Sequence, residues 1–455
     1  MIVARYITGK YAVLRRIVRV VLLVSYLIVP WINWGDRPMV LLDIASRKFY
    51  FPGAVFWPQE FYFLWFVVAT LGLALFLFTS LFGRMWCGWA CPQTVYTEMF
   101  DAFGRIVSPR FGKASQKMWE KIAVHSVWVL ASAVLTFHFI GYFVGVRAMS
   151  AEILTSGPAI FTDQAWPYFW LATTGLFYFD LGIFRHNFCV YICPYARFQS
   201  VMLDRDSNVI AYDSHRGEPR RRSKKLTPEE EASFGDCTGC TKCVQVCPTG
   251  IDIREGLQVA CINCAHCVDA CTDEMSRFGK ETLVGFNSLN YFEERKKSRL
   301  LRPRTVAYAA LLLAVIGAFT AALVNRTPFQ LSVVRDRNLP PLLVENQAQN
   351  YYNVDVMNMR ERPVELYLSV ETAEAGETRV TQLNQIVGEN PLRLKANEHR
   401  PVRVIVQGVP GAESGERTSA AAGRRSVPVR FVLKESADEA AADSVTKESM
   451  FTIPE

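Results

Sequence analysis

The sequence predicts a multi-domain membrane protein. We expect a bundle of five transmembrane helices, a cysteine-rich domain inserted before the fifth helix, and an all-β sandwich at the C-terminal end. Three observations support this architecture. The apolar residues gather into five long segments, and all 12 cysteines lie between Cys87 and Cys271. Beyond about Leu339, apolar and polar residues alternate in short runs, which is typical of strands.

Each of the five apolar segments approaches the roughly 20 residues that a helix needs to cross the hydrocarbon of a bilayer. A soluble protein would instead need several unusually long helices that are apolar on every side. The predicted organisation is therefore a membrane domain over residues 1–204, an inserted domain over 205–304, a fifth span over 305–324 and a C-terminal domain over 325–455. The predicted spans are Ile17–Trp34, Phe61–Gly83, Ile122–Val146, Trp166–Phe184 and Thr305–Val324.

Lysine and arginine predict the orientation of these spans, because loops that stay in the cytoplasm are enriched in both residues. The N-terminus is basic and no small-residue cleavage site follows the first apolar segment, so we expect an uncleaved anchor. Segments 84–121 and 185–304 are rich in lysine and arginine, whereas 147–165 has only Arg147. The N-terminus and the inserted domain are thus predicted to be cytoplasmic and the C-terminal domain to lie outside. The net charge of +7 reflects this bias. It indicates contact with anionic lipid and requires no nucleic acid.

The cysteines between Cys237 and Cys271 give the strongest signal in the chain. They form the pattern C-x2-C-x2-C-x3-C twice, which is the spacing that two [4Fe–4S] clusters require. In ferredoxins with two clusters, the fourth cysteine of each pattern binds the other cluster. The predicted ligand sets are Cys237, Cys240, Cys243 and Cys271 for one cluster, and Cys261, Cys264, Cys267 and Cys247 for the other.

Structural zinc is the alternative for this segment. A zinc site would use four ligands in two C-x2-C pairs and would leave the last cysteine of each pattern without a role. Two details depart from the bacterial ferredoxin pattern. Thr272 stands where a second proline would follow the last cysteine, and the two groups are joined by a short connection. A ferredoxin-like domain with exchanged fourth ligands remains the favoured interpretation.

A second pair of motifs closes two of the apolar segments. "MWCGWACPQT" ends at Thr94, and "NFCVYICPYA" repeats its C-x3-C-P pattern after Asn187. Cysteines four apart share a face of a helix, and proline after the second cysteine pushes that cysteine out of helical geometry. Both motifs are predicted at the cytoplasmic membrane face, where their four sulfurs could meet. The four cysteines are Cys87, Cys91, Cys189 and Cys193.

Several ligands suit four soft sulfurs at a membrane face. They could bind Cu(I), another soft metal or a further cluster, or they could form redox-active disulfides. They could also be small buried side chains without a chemical role. His125 and His186, at the inner ends of the third and fourth spans, are candidate auxiliary metal ligands.

The C-terminal domain shows the alternation expected of an antiparallel sandwich. Val364, Leu366 and Leu368 alternate with polar residues, and segments 402–406 and 427–431 repeat the pattern. The domain contains no cysteine, so we interpret it as a docking or stabilising module.

Together these motifs resemble those of the cytochrome oxidase accessory protein family known as CcoG, FixG or RdxA. The resemblance rests on "WCGWACPQTVYTE" from Trp86, the second C-x3-C-P at Cys189 and "CPTGIDIREGLQ" from Cys247. It covers essentially the whole chain. It implies an immunoglobulin-like C-terminal domain in the periplasm and a location in the bacterial inner membrane.

The resemblance also implies a function. Members of this family are implicated in the assembly of cbb-type cytochrome c oxidases, and their proposed activity is the reduction of Cu(II) to Cu(I). The expected cofactors are two [4Fe–4S] clusters, with copper as substrate at the four membrane-face cysteines. The expected partners are a cytoplasmic electron donor, copper chaperones or transporters, and oxidase assembly factors. The sequence leaves two alternatives open, a quinone-linked membrane electron conduit and a non-catalytic assembly scaffold.

Overall fold

The structure, a computed structural model, describes residues 4–35, 37–221, 233–345, 347–360, 362–372, 380–386, 389–410, 425–435 and 444–453. The chain divides into two compact units. Residues 1–52 and 56–319 form the first unit, and residues 53–55 and 320–455 form the second.

Helices dominate the first unit. Two π-helical stretches, Tyr178–Phe184 and Phe188–Ile192, follow the α-helix that ends at Phe177. The α-helices in chain order are α1 Lys10–Ile28, α2 Phe61–Phe82, α3 Met85–Trp89, α4 Pro92–Val107, α5 Met118–Val144, α6 Val146–Ser156, α7 Ile160–Asp163, α8 Trp166–Phe177, α9 Pro194–Met202, α10 Ser214–Gly217, α11 Lys242–Gln245, α12 His266–Ser276, α13 Leu289–Glu294 and α14 Pro303–Val324.

Three helical segments in the described residues are long and apolar enough to cross a membrane. They are Pro58–Phe82, Met118–Val144 and Pro303–Val324, and they match the second, third and fifth predicted spans to within a few residues. The first predicted span overlaps α1 only over residues 17–28, because the helix begins earlier, with basic residues along its first half, and ends at Ile28. The fourth coincides with α8, which has only 12 residues before the chain continues in π-helical geometry. The five-helix bundle therefore stays a prediction.

The start of α1 is docked on the cysteine-rich segment. The backbone N–H groups of Tyr11 and Ala12 donate to the carboxylate of Asp269 on α12, at 3.2 and 2.7 Å. A Cβ placed on Gly9 would lie 2.3 Å from the Asp269 carboxyl carbon, so only glycine fits this approach. Upstream, the N–H of Arg5 donates to the carbonyl of Gln245 at 2.8 Å. The N-terminus and the cysteine-rich segment therefore lie on the same side of the helices.

A small two-stranded sheet closes the cysteine-rich segment. Strands β6 (Val209–Tyr212) and β7 (Val284–Asn287) pair antiparallel, with Ile210 opposite Phe286. The pairing brings together the two ends of the segment that carries eight cysteines. Earlier in the chain lie five short strands, β1 Asn33–Trp34, β2 Arg37–Pro38, β3 Leu41–Asp43, β4 Lys48–Phe51 and β5 Ala54–Phe56.

The second unit is a sandwich of two antiparallel sheets, as the sequence predicts. One sheet has the order β12-β14-β10-β8 with β9 paired to β10, and the other has the order β13-β11-β15-β16. Inward side chains from both sheets form one apolar core, in which Phe329, Val356, Leu366 and Phe431 are completely buried. The strands are β8 Phe329–Arg335, β9 Leu342–Val344, β10 Gln347–Asn358, β11 Val364–Thr372, β12 Val380–Ile386, β13 Leu392–Leu394, β14 His399–Pro410, β15 Arg425–Lys434 and β16 Ser444–Ile453.

Candidate metal centre

The eight cysteines of the inserted segment line two neighbouring cavities. The first is lined by the thiols of the first predicted set, and the second by those of the other set together with Cys243. Apolar side chains surround the thiols, as is usual where a protein shields a cluster from water. The chemistry of each lining fits a [4Fe–4S] cluster, which needs four thiolates, while the assignment of individual ligands stays a prediction.

The backbone repeats itself at the two cavities. Thr241 follows Cys240 with a φ of +56°, and Ala265 follows Cys264 with a φ of +64°. Each residue precedes a short helix, α11 or α12, that carries the next cysteine. A left-handed conformation at non-glycine residues is costly and is kept where the surroundings require it. Here it lets two consecutive cysteines of each pattern face one cavity.

Burial governs the protonation of these thiols. It raises the pKa of Cys261 to about 11 and those of Cys243 and Cys264 to about 12. Without iron, these three thiols are protonated at neutral pH. Ligation replaces these protons, because a bound cysteine is a thiolate.

Each C-x3-C-P motif forms a break between two helices. Cys87 lies in α3, whereas Cys91 is extended (φ −61°, ψ 126°) and immediately precedes α4. Cys193 has the same extended backbone (φ −61°, ψ 110°) before α9. Proline occupies the first position of the following helix both times, where its missing N–H costs nothing. Cys91 and Cys193 therefore lie outside helical geometry, as the following proline predicts, and the expectation that the two thiols of a motif point the same way stays a prediction.

Hydrogen bonds join the two copies of the motif. The Cys87 thiol donates to Oε1 of Gln199, at 3.0 Å, and Arg84 Nε donates to the same oxygen at 3.3 Å. The Gln199 amide nitrogen in turn donates to the Thr79 hydroxyl at 3.1 Å. Gln199 is completely buried and lies on α9, one turn and a half beyond Cys193. Sequence reasoning missed this residue, because a single glutamine carries no motif and its partner lies 112 residues away.

The four membrane-face thiols lie near one another. Burial raises the pKa of Cys189 to about 12, and the neighbouring Cys91, Cys87 and Cys193 thiols add to the shift. Burial likewise raises the pKa of Cys87 to about 11. Even so, among the described residues no three His, Cys, Asp or Glu side chains close around a single metal ion. The thiols of Cys87, Cys91, Cys189 and Cys193 thus form a four-cysteine neighbourhood that has no preformed site for a single metal ion within the described residues.

The two histidines proposed as auxiliary ligands lie in different surroundings. His125 Nδ1 is 2.9 Å from the Tyr178 hydroxyl, and its ring packs against Trp128. His186 is buried beside Glu98 and Asp101. Burial lowers the pKa of its ring, and the two carboxylates oppose that shift. The His186 carbonyl accepts from the Cys189 N–H at 3.1 Å, but no side-chain hydrogen bond among the described residues joins either imidazole to the four cysteines, so their role as ligands stays a prediction.

The first motif touches the cysteine-rich segment directly. A Cβ placed on Gly88, between Cys87 and Cys91, would lie 2.4 Å from the carbonyl oxygen of Ile262. The Trp89 indole N–H donates to the Asn263 carbonyl at 3.1 Å. Cys87 and Cys264 belong to one buried apolar cluster. The four-cysteine neighbourhood and the second cavity are therefore in contact through packed backbone.

Arg15 holds this junction from the side. Its Nε donates to the Gly88 carbonyl at 2.8 Å, and another guanidinium nitrogen lies 2.5 Å from His266 Nε2. The same guanidinium pairs with Glu98 on α4, which Arg19 also contacts at 2.9 Å. Only 3% of the Arg15 surface is exposed, so these contacts are shielded from water. Arg15 thus connects α1, the C-x3-C-P motif and the cysteine-rich segment.

Three family models match this chain. A 4Fe-4S dicluster domain matches residues 184–289, and a 4Fe-4S binding domain matches 63–111 and 162–205. The second of these covers both C-x3-C-P motifs. A model described as the IG-like fold at the C-terminal of FixG matches 319–454.

Full-length relatives extend these matches. The chain is 37% identical to protein RdxA of Cereibacter sphaeroides over 78% of its own length and 79% of that protein. It is 34% identical to protein RdxB of the same organism, with 90% of each chain covered. It is 32% identical to the nitrogen fixation protein FixG of Rhizobium meliloti, over 88% of this chain and 84% of that one.

Proposed function

This chain belongs to the FixG/RdxA family of ferredoxin-type iron–sulfur proteins, and from that premise we propose that it is a membrane-bound cupric reductase. It reduces Cu(II) to Cu(I) for the assembly of cbb-type cytochrome c oxidase. The observation that carries this proposal is the packing of Gly88 on Ile262, which joins the four-cysteine neighbourhood to the lining of a cluster cavity.

In this proposal the two cavities of the cysteine-rich segment hold the cofactors. Cys237, Cys240, Cys243 and Cys271 hold one [4Fe–4S] cluster, and Cys261, Cys264, Cys267 and Cys247 hold the other. When bound, the clusters supply single electrons that originate from a cytoplasmic donor protein. Each Cu(II) takes one electron and becomes Cu(I).

In this proposal copper is the substrate, and it binds at the four thiols of Cys87, Cys91, Cys189 and Cys193. Thiolates are soft ligands and favour Cu(I), so the site binds the product of the reduction well. Gln199 and Arg84 orient the Cys87 sulfur through the hydrogen bonds that join the two motifs. The thiols give up their protons as the metal enters, and Cu(I) then passes to a chaperone or transporter with soft ligands of its own.

The proposed topology has five crossings. Gly88 follows α2 and the N-terminal segment precedes α1, yet both contact the cysteine-rich segment. If α2 crosses the membrane, α1 must cross it in the other direction to bring these regions together. The Thr136 and Thr174 hydroxyls, 2.7 Å apart, similarly pair α5 with a returning α8. With the basic loops in the cytoplasm, the fifth crossing leaves the C-terminal domain in the periplasm.

A second candidate concerns the same four cysteines. The 4Fe-4S binding domain that matches residues 63–111 and 162–205 spans all of them. A cluster is larger than one ion, so it suits thiols that do not close around a single metal. These cysteines would then hold a further cluster, and copper would be reduced elsewhere or would not be the substrate.

One experiment separates these candidates. The full-length protein is reduced anaerobically with dithionite, freed of excess reductant and mixed with Cu(II), and the Cu(II) signal is followed by EPR. The Cys87→Ser/Cys91→Ser variant and the matched Cys189→Ser/Cys193→Ser variant are expected to lose Cu(II) reduction and to keep the iron content of the wild type. Unchanged Cu(II) reduction in both variants contradicts the copper site. Loss of about a third of the iron identifies a further cluster.

A further inference from the structure

A cavity of about 340 Å³ lies beside the cysteine-rich segment and belongs to neither cluster. Its walls come from the N-terminal residues 4–7, from α1 and from α4, and Pro248 and His266 contribute from the cysteine-rich segment. The volume lies in the range of small-molecule sites. None of the function proposed above uses this cavity.

Arginine dominates its lining. Five arginines face the cavity, with two carboxylates, and both carboxylates are already neutralised. Glu98 pairs with Arg15 and Arg19, and Asp101 pairs with Arg185. Burial opposes the ionisation of Glu98, but Arg15, His266 and Arg19 outweigh it and hold the pKa of Glu98 below its usual value. The two carboxylates therefore do not neutralise the positive charges of the other three cavity arginines, which are Arg5, Arg16 and Arg105.

Three of the arginines have no carboxylate partner among the described residues. Arg5 donates to the Gln245 side chain at 3.4 Å, and Arg105 donates to the carbonyl of Ala4 at 3.0 Å. Arg16 binds the Tyr6 hydroxyl. The Tyr6 ring lies 5.7 Å from the guanidinium carbons of both Arg16 and Arg105. Each of the three guanidinium groups keeps donors for a ligand, and their summed charge favours an anion.

His186 gives an independent sign of a missing partner. Its side chain lines the cavity and is 93% buried, since 7% of its surface is exposed. Neither ring nitrogen has a hydrogen-bond partner within the described ranges. Buried polar groups almost always have a partner, so an unpaired imidazole at a cavity wall indicates a bound group. An imidazole ring can donate a hydrogen bond from one nitrogen and accept one at the other.

The position of the cavity brings it close to lipid. The residues of α1 that line it lie on one face, while Val13, Ile17, Val20 and Val21 of the same helix are exposed and apolar. Such a helix face is suited to the hydrocarbon boundary of a bilayer. Basic pockets at this level bind phosphate-bearing head groups, and the planar fork of arginine matches phosphate oxygens.

We propose that this cavity binds a phosphate-bearing anion, through Arg5, Arg16 and Arg105 at its basic wall and His186 at its buried end. Two sources share this chemistry, the head group of an anionic phospholipid and a soluble organophosphate. The ligand would lie against the segment that carries Cys247 and Cys267, because Pro248 and His266 form part of the wall. The proposal does not depend on copper reduction.

The test uses the full-length protein with its clusters, delipidated in a neutral detergent. Phosphatidylglycerol and phosphatidylcholine are titrated in separate samples and bound lipid is counted by native mass spectrometry. Inorganic pyrophosphate is titrated by calorimetry as the soluble arm. The Arg16→Gln/Arg105→Gln variant is expected to bind about tenfold or more weakly, since hydrogen bonds to charged groups contribute most to such binding. The control Lys113→Gln/Lys297→Gln removes the same charge from two exposed sites away from the cavity.

The outcomes separate the two sources. Binding of phosphatidylglycerol that is weakened in the arginine variant but not in the control identifies a lipid head group. The same pattern with pyrophosphate identifies a soluble ligand, and both together support the shared phosphate chemistry. If neither probe binds, or if the control loses binding equally, the proposal is overturned. His186→Gln is the second variant, and it is also expected to weaken binding of the phosphate probe. It replaces the arginine variant in the comparison if the arginine variant has a lower melting temperature than the wild type.

Discussion

The backbone of Gly88 lies directly against the carbonyl oxygen of Ile262, so that a Cβ on Gly88 would stand 2.4 Å from that oxygen. Real Cβ atoms do not approach a carbonyl so closely, and both partners are backbone, which cannot rotate away. The contact fixes the distance between the first C-x3-C-P motif and the lining of the second cluster cavity. A glycine between the two cysteines is therefore a requirement of the packing.

Gly88→Ala is expected to destabilise this junction. Overpacking a well-packed site costs about 1–3 kcal/mol, and here the added methyl group meets main-chain atoms. We expect a lower melting temperature of the full-length protein and slower Cu(II) reduction by the dithionite-reduced form. The control is Gly72→Ala in α2, where a Cβ would meet nothing within 4 Å. The alanine there should be neutral or slightly stabilising, because alanine favours a helix over glycine. Equal melting temperatures for the two variants would contradict the close contact.

Arg15→Gln is expected to loosen the same junction from the other side. The substitution removes the donor to the Gly88 carbonyl and leaves the buried Glu98 carboxylate with Arg19 as its remaining cationic partner. Removing one member of a buried ion pair costs about 3–5 kcal/mol, because the other charge stays buried. Chemical denaturation followed through the cluster absorbance measures the loss.

The control for Arg15 is Arg277→Gln. The Arg277 side chain is 61% exposed and pairs with Asp273 at 3.2 Å on the surface of the cysteine-rich segment. Such exposed pairs contribute about 0–1 kcal/mol. If Arg277→Gln and Arg15→Gln shift the denaturation midpoint equally, Arg15 does not hold the junction.

The exchange of fourth ligands between the clusters predicts a pattern of iron loss in double variants. Cys271→Ser and Cys240→Ser should each remove one cluster, the same one, because their thiols line the same cavity. The double variant should then lose no more iron than either single variant. Cys271→Ser combined with Cys264→Ser should lose both clusters. Iron analysis with EPR of the reduced protein distinguishes these cases. Iron loss in the first pair that equals the sum of the single losses would refute the exchange.

The strands and the cysteine motifs were accessible from sequence because their signals are local. Val364, Leu366 and Leu368 alternate with polar neighbours, and they point into the sandwich core because side chains alternate along a strand. Proline after Cys91 and Cys193 likewise predicts the break that the structure has at each cysteine. In both cases the pattern and its cause lie within a few residues of each other.

The other features of the site depend on contacts between residues that are far apart in the sequence. Gln199 acquires its role only when α9 packs beside α3 and brings it to Cys87. The arginine cavity is assembled from the N-terminal segment with α1, from α4, from His186 and from two residues of the cysteine-rich segment, and its five arginines belong to none of the cysteine motifs. The π-helical turns after α8 also lack a sequence pattern that separates them from an α-helix of the same composition. Long-range packing decides these features.

The second unit offers a prediction that is independent of metal. Asn358, at the end of β10, is completely buried and uses its whole amide group. Its nitrogen donates to the carbonyls of Arg362 and Lys395, at 2.8 and 2.9 Å, and its oxygen accepts from the N–H of Arg360 at 3.0 Å. The side chain thus ties the end of one strand to two loops that would otherwise leave main-chain groups unpaired in the interior.

Asn358→Ala is expected to cost about 3 kcal/mol, at about 1 kcal/mol for each hydrogen bond. Hydrogen exchange of the full-length protein, read on peptides over residues 347–358 and 392–408, should become more than about a hundredfold faster where exchange requires the sheet to open. The control is Asn353→Ala on the same strand, whose side chain is exposed. Hydrogen exchange in the Asn353→Ala variant should stay near the wild-type rate, because the substitution removes an exposed side chain and leaves the core packing unchanged. If both variants exchange at the wild-type rate, the buried amide does not hold the sandwich end closed, and the two loops must be fixed by the strand pairing alone.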